Sequence, residues 1–320
     1  MRILSLIKPD TRRTVFTDQA WAQLGDVAEL VDPHDTAAAV DAAAGAEVIL
    51  TSWGSPRVDR EVVAAAKPAV LLHAAGSVKP VVSDALWQSG ARVTSAVKPL
   101  GEGVAETALG LTIVGRKNIV ATGAEVAAGG WSRDGVGEVN DIRVGVLGAG
   151  WVGRHYLKLM GNFEVERAVY DPYLSESDAA AMGAIKLDLD ELLATSQVVS
   201  VHAPELPATR HMLNAETLAL LQPGTVLVNT SRGSLIDEEA LTARLEQGDL
   251  GPVFLDVFDP EPPAADHPLR TLAHATPHLA GLAGNGRLRI GRHIVAELER
   301  FRAGEPMLCE VTAADMDRVA

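Results

Sequence analysis

Arg143-Val-Gly-Val-Leu-Gly148-Ala-Gly150-Trp-Val-Gly153-Arg-His155 is a short apolar run that passes into G-x-G-x-x-G and then into a helix-forming stretch. A bare G-x-G-x-x-G decides little, but here it stands between a strand and a helix, where each glycine has a job. Gly148 permits the tight turn, Gly150 lets the backbone approach a pyrophosphate, and Gly153 lets the helix pack close to the strand. A helix starting at Trp151 and Val152 would aim free N–H groups and the positive end of its dipole at the phosphates. Asp171 ends the next run, Ala168-Val-Tyr170, 21 positions after Gly150. An acidic side chain there accepts hydrogen bonds from ribose hydroxyls and repels a 2′-phosphate, and the following Pro172 and Tyr173 offer no guanidinium to neutralise one. The competing readings are a strand-to-helix turn that binds nothing and a turn aspartate before Pro172. Glycines and aspartate together favour NAD as the cofactor.

Outward from this stretch, apolar runs of four to six residues alternate with Ala-rich amphipathic stretches, the pattern of strands and crossover helices in a parallel α/β sheet. One series holds Ile3–Ile7, the segment around Leu30, Val48–Thr51, Val70–His73 and Arg92–Thr94. The other holds Arg143–Leu147, Arg167–Tyr170, Val198–Val201, Val226–Asn229 and Val253–Leu255. Gly103–Val114 reads as a long helix between the two series, Arg287–Ala303 as another after the second, and Gly129–Asp141 as a loop. The expected fold is α/β, two Rossmann-like doubly wound parallel-sheet domains with a cleft between them. An NAD-binding domain over 99–283 is inserted in a discontinuous substrate-binding domain made of 1–98 and 284–320.

Composition narrows the partners. The 320 residues hold 28 Lys+Arg against 42 Asp+Glu, a net charge of −14, with 47% hydrophobic and 22% charged residues. Such a chain can bury large cores, and its surface repels nucleic acid and anionic membranes, so small molecules are the expected partners. Cys309 is the only cysteine and no Cys/His cluster has zinc spacing, so neither disulfide nor metal is expected. The opening MRILSLIKPDTRR is too short in apolar residues for a signal peptide and no stretch approaches about 18 apolar residues, so the reading is cytoplasmic.

Three segments fall where strands of the second series end, the edge on which open α/β sheets bind ligands. They are Val228-Asn-Thr230-Ser231-Arg232-Gly-Ser-Leu-Ile-Asp237, Leu255-Asp256-Val-Phe-Asp-Pro-Glu261-Pro262 and Ala275-Thr-Pro-His278-Leu-Ala-Gly281. With the glycine loop, Asp171, Val104-Ala-Glu106, Gly130-Trp131 and Val201-His-Ala203-Pro204 followed by Thr209, the chain resembles the NAD-dependent D-isomer-specific 2-hydroxyacid dehydrogenases over nearly its whole length.

The resemblance implies that Arg232, Glu261 and His278 are catalytic in the interconversion of a 2-keto acid and a D-2-hydroxy acid. The chemistry gives each a reason. Arg232 is permanently charged and can hold the substrate carboxylate and carbonyl together. His278 can serve as acid in reduction and as base in oxidation. Glu261 would orient the imidazole and favour its cation. A glutamate there also disfavours a formate dehydrogenase, in which the equivalent position bears an amide.

As cofactor contacts the resemblance adds Trp151, Val152, Ala203, Pro204, Thr209, Thr230, Ser231, Arg232, His278 and Asp256, the last as acceptor for the nicotinamide carboxamide, although Asp256 could instead cap a loop. Backbone N–H groups at Ala75 and Gly76 are implied for the substrate carboxylate. Here the usual Gly-Val-Asp-Asn continuation is replaced by Ser77-Val78-Lys79-Pro80. Trp53 either walls the substrate pocket or covers the domain edge. The resemblance also implies a homodimer. Two alternatives share these motifs: an NADH-sensing, corepressor-like binding protein, and a member acting on a phosphonate-type substrate.

Overall fold

A computed structural model describes residues 1–248, 250–281 and 284–318. The chain divides into two compact units, one made of Met1–Leu100 with Leu282–Ala320 and the other of Gly101–Gly281. The expected domain limit at 283/284 falls at Ala283, outside the described residues.

The first unit is built on β1 (Arg2–Ser5), β2 (Val27–Glu29), β3 (Ala46–Thr51), β4 (Val70–His73) and β5 (Arg92–Ser95), in the order β5-β4-β3-β1-β2 and all parallel. Alternate residues point to opposite faces, and both faces are covered. Ile3, Val48, Leu50, Val70 and Leu72 pack with Ile290, Ile294 and Leu298 of the helix Leu288–Arg302. Leu4, Ile49, Leu71 and Val93 pack with Val62 and Leu86 on the other side. The returning segment adds an antiparallel strand, Glu310–Val311, beside β5. Glu297 fastens it: this fully buried carboxylate accepts from Thr94 Oγ1 (2.6 Å), Leu308 N (3.0 Å) and Cys309 N (3.3 Å).

The second unit is a seven-stranded parallel sheet in the order β12-β11-β10-β9-β6-β7-β8. Its strands are β6 (Arg143–Leu147), β7 (Glu166–Tyr170), β8 (Ile185–Lys186), β9 (Val198–Val201), β10 (Val226–Asn229), β11 (Val253–Leu255) and β12 (His274–Ala275). The chain leaves β6 in one direction for β7 and β8 and in the other for β9 to β12, so the switch point of the sheet lies at the C-terminal ends of β6 and β9. Both sheets are thus the Rossmann-like α/β layers expected. The linking helix starts earlier than its apolar pattern suggested, running Val97–Arg116, because Pro99 is tolerated in a first turn, where N–H groups have no partner anyway.

Two histidines are sealed inside these layers. Burial holds His73 at a pKa of about 4 and His202 at about 3, so both are neutral in the fold. The unfolded chain, with ordinary histidines near pH 6.5, takes up these protons first, so stability is complete above that pH and is lost as pH falls toward 4 and then 3. Each histidine contributes a slope of up to about 1.4 kcal/mol per pH unit. The expected result is a thermal midpoint that drops steadily below pH 6.5. The double variant His73→Gln/His202→Gln should flatten this dependence, and an equally steep curve would show that the acid loss arises elsewhere.

Candidate active site

The turn after β6 is built as its glycines require. Gly148 has φ +96°, and a Cβ on it would lie 2.7 Å from Ala203 N and Cα, so only glycine lets this loop rest on the end of β9. A Cβ on Gly153 would meet Gly148 O at 2.0 Å, which fixes the close packing of the helix Trp151–Met160 under the loop. A Cβ on Gly150 meets nothing within 4 Å, and no side chain caps this helix. Open space in front of uncapped N–H groups is what a pyrophosphate needs. Asp171 is oriented beside it, Oδ2 accepting from Ala149 N (2.8 Å) and Oδ1 from Tyr173 N (2.9 Å), and each oxygen keeps a lone pair.

The remaining cofactor candidates surround the same edge. Ser231 Oγ donates to Ala203 O (2.6 Å), tying the loop after β10 to the loop after β9. Thr230 is buried and its Oγ1 has no hydrogen-bond partner among the described residues. Such a hydroxyl fits a bound polar group. Thr209 turns inward on its own loop, donating to Pro204 O (2.6 Å) and accepting from Leu206 N (2.9 Å). Trp151 is exposed and Val152 half-buried at the helix start. These features fit NAD at the edge of this unit.

Arg232, Glu261 and His278 follow three neighbouring parallel strands, β10, β11 and β12, at their C-terminal ends. Asn229 frames the first turn, accepting from Ser231 N (3.0 Å) and donating from Nδ2 to Arg232 O (2.9 Å). The Arg232 guanidinium touches Ser231 O (2.7 Å) and makes no ion pair with a described residue. His278 Nδ1 and Glu261 Oε2 stand 2.7 Å apart, and the second Glu261 oxygen accepts from Phe258 N (3.1 Å). With Nδ1 engaged, Nε2 is the ring nitrogen left for chemistry. A cavity of about 550 Å³ opens at this pair, lined among others by Asp256, Pro262, Arg270 and Thr276. A smaller depression of about 260 Å³, lined by Ala215, Leu218 and Arg244, holds none of the candidate groups.

The structure adds residues that do not stand out in the sequence. Glu238 Oε1 accepts from Asp259 N (2.9 Å) and Oε2 stands 3.0 Å from His267 Nε2, so it braces the segment that carries Glu261 from behind. Burial raises the Glu238 pKa against the pull of that N–H. Gly233 packs the Arg232 turn directly on the Phe258–Asp259 backbone. Asp256, expected at the nicotinamide, is 1% exposed and engages the chain itself, accepting from Thr276 Oγ1, Leu279 N and Ala280 N. In the first unit, Ala75 is buried, Gly76 half-buried, and Trp53 packs half-buried against the core beneath the sheet. Among the described residues there is no group of three side chains suited to a metal, and no helix is long and apolar enough to cross a membrane.

A doubly wound sheet with a glycine turn at its switch point and an arginine, a glutamate and a histidine along one edge defines a nucleotide-dependent α/β protein. The family description "D-isomer specific 2-hydroxyacid dehydrogenase, NAD binding domain" matches residues 109–280. D-3-phosphoglycerate dehydrogenase of Mycobacterium tuberculosis is 34% identical over 291 residues, 89% of this chain and 55% of that protein. (S)-sulfolactate dehydrogenase of Chromohalobacter salexigens is 31% identical over 85% of this chain and 89% of its own. The solved structure of D-2-hydroxyisocaproate dehydrogenase, 22% identical, shares the fold with a TM-score of 0.78 over 98% of this chain and all of that one. The chain belongs to the D-isomer specific 2-hydroxyacid dehydrogenase family and carries its NAD-binding domain. It spans 55% of the length of the mycobacterial phosphoglycerate dehydrogenases that it matches.

Proposed function

We propose that this protein interconverts a 2-keto acid and a D-2-hydroxy acid with NAD(H). The observation that carries the reading is the placement of a guanidinium with no ion pair among the described residues and a 2.7 Å imidazole–carboxylate pair on three adjacent strand ends. NAD(H), when bound, supplies or takes up the hydride. Gly148, Gly150, Trp151, Val152 and Gly153 offer the pyrophosphate its backbone N–H groups, and Asp171 takes the ribose hydroxyls. Ala203, Pro204, Thr209, Thr230 and Ser231 form the remaining wall. Arg232 holds the substrate carboxylate and polarises the carbonyl, so that charge developing on its oxygen meets a fixed cation. His278 donates a proton from Nε2 to that oxygen on reduction and removes it on oxidation. Glu261 holds Nδ1–H, keeping the ring in the tautomer and direction the transfer requires.

The test is NADH oxidation by purified protein with glyoxylate, hydroxypyruvate, pyruvate and bulkier 2-keto acids. Turnover on at least one is expected; tight NADH binding with no turnover on any would favour a sensing role instead. Asp171→Ala should raise the KM for NADH about tenfold or more and narrow the gap to NADPH, because the carboxylate is what favours a free 2′-hydroxyl. An unchanged cofactor preference would remove Asp171 from the site.

The reading extends to a homodimer formed through the second unit. The helix Ile119–Ala127 buries none of its residues, and Ile119, Val120, Val126 and Trp131 are exposed. An apolar surface of this kind is the mark of a partner, here a second copy, and a solution mass of one chain would exclude it.

A further inference from the structure

Glu261 sits on a stretch of chain with little backbone of its own to hold it. Phe258-Asp-Pro-Glu261-Pro-Pro263 lies between β11 and the helix Leu269–Leu272, and its three prolines have no N–H to donate. Phe258 N–H is taken inside the stretch, by Glu261 Oε1 (3.1 Å). Asp259 N–H is where another element takes hold: it donates to Glu238 Oε1 (2.9 Å), in the first turn of the helix Glu238–Glu246. The second Glu238 oxygen stands 3.0 Å from His267 Nε2. His267 Nδ1 accepts from Leu269 N (3.3 Å), which puts the ring hydrogen on Nε2 and aims it at that carboxylate. The same ring lies edge-on to Phe258, with centroids 6.0 Å apart at 78°. Glu238 is thus held between the amide it fixes and the imidazole that fixes it. Arg270 Nη1 reaches Pro263 O (2.9 Å) at the far end of the stretch, and Arg210 pairs with Asp259 Oδ2 (3.0 Å). The Arg210 and Asp259 side chains are 54% and 39% exposed, against 23% and 15% for His267 and Glu238, so solvent screens the outer pair and the inner one sets the geometry.

We infer that Glu238 and His267 are positioning residues: Glu238 fixes the Asp259 amide, and with it the direction in which Glu261 meets His278, and His267 fixes Glu238. The inference rests on the reading of Glu261 and His278 as the proton-transfer pair. The lever is short. Asp259 is two residues from Glu261, and Phe258, which packs on the His267 ring, gives its own N–H to the Glu261 carboxylate. A turn of this backbone therefore moves Glu261 against an imidazole that arrives from a different strand end, after β12. What Asp259 N needs is an acceptor. An amide oxygen can supply one, whereas alanine leaves the N–H without this partner and frees the stretch to rotate.

Glu238→Ala should lower kcat for 2-keto acid reduction about 10- to 100-fold, with the Kd for NADH, measured by nucleotide fluorescence, within about threefold of wild type. The proton NMR signal of the His278 Nδ1–H paired with Glu261 should shift or broaden in that variant. Glu238→Gln keeps an oxygen for Asp259 N and should restore both the signal and most of the rate, which a general loss of packing would not allow. His267→Phe keeps a ring against Phe258 and removes the N–H aimed at Glu238. It should cost about three- to tenfold in kcat, and it serves where Glu238→Ala does not fold. The double variant Glu238→Ala/His267→Phe should lose no more than Glu238→Ala alone, because His267 acts through Glu238; losses that multiply would overturn the pairing. Wild-type kcat in Glu238→Ala, an unmoved His278 signal or a tenfold weaker NADH Kd would overturn the inference as well. Because the NMR signal needs no turnover, a wild-type protein that reduces no 2-keto acid, yet whose His278 signal moves in Glu238→Ala and returns in Glu238→Gln, would overturn the functional reading and keep the positioning pair.

Discussion

His278→Ala should lower kcat/KM for 2-keto acid reduction by about 10²- to 10⁴-fold, the range lost when a positioned general acid is removed. The loss should appear in kcat, because the ring contributes when the carbonyl oxygen gathers negative charge and little while the substrate is merely bound. The Kd for NADH should change little, since the glycine turn after β6 and Asp171 make their contacts without His278. Arg232→Ala removes a cation that has no carboxylate partner among the described residues, so its loss should fall on substrate: a higher KM together with a kcat lower by about 10²-fold or more. Arg232→Lys keeps the charge and loses the planar fork, and should recover only part of the rate. Glu261→Gln should sit between wild type and His278→Ala, because an amide can still accept from Nδ1–H but does not stabilise the imidazolium. Full activity in His278→Ala would dismiss the proposed chemistry, however well the fold agrees.

Why these three side chains, among nine histidines and many arginines, could be singled out from sequence is instructive. Arg232 and Glu261 each follow an apolar run, His278 stands in Thr-Pro-His-Leu-Ala-Gly after Glu261, and parallel strands deliver whatever follows them to one edge, so order along the chain translates into position in space. Elements below the reach of periodicity were not legible. β8, β12 and Glu310–Val311 have two residues each, too few to show alternation, yet β12 is the strand that delivers His278. Nor does a histidine announce its company. His267 with Glu238 and His278 with Glu261 are both imidazole–carboxylate pairs, at 3.0 Å and 2.7 Å, and they differ in that the His278 pair opens on the 550 Å³ cavity. Asp256 likewise reads from sequence either as a contact of the nicotinamide or as a loop cap, and the partners its carboxylate has in the structure come from a segment 20 to 24 residues away.

Gly233 shows the same limit in a residue that carries no chemistry, and replacing it with alanine should cost nearly as much as losing a catalytic group. Its φ is not the reason, for Gly233 lies outside the left-handed region. The reason is space: a Cβ would stand 2.0 Å from Phe258 C, 2.4 Å from Phe258 O and 2.5 Å from Asp259 N. These are backbone atoms, so no rotamer relieves the collision, and the Arg232 turn must move away from the segment that leads to Glu261. Normal carbon contacts lie near 3.5–4.0 Å, which puts the required separation at about 1 Å or more. A shift of that size costs about 10²-fold in rate when it falls between groups that act on one substrate. Overpacking adds about 1–3 kcal/mol of destabilisation. Gly233→Ala should therefore show a kcat/KM reduced about 10²-fold, a lowered thermal midpoint and a nearly normal Kd for NADH. Gly153→Ala provides the contrast. Its Cβ would strike Gly148 O at 2.0 Å, which distorts the pyrophosphate turn, so there NADH binding itself should weaken. Wild-type kcat/KM in Gly233→Ala would mean that Arg232 and Glu261 need not be held at a fixed separation, and the cooperative placement argued for this edge of the sheet would be wrong.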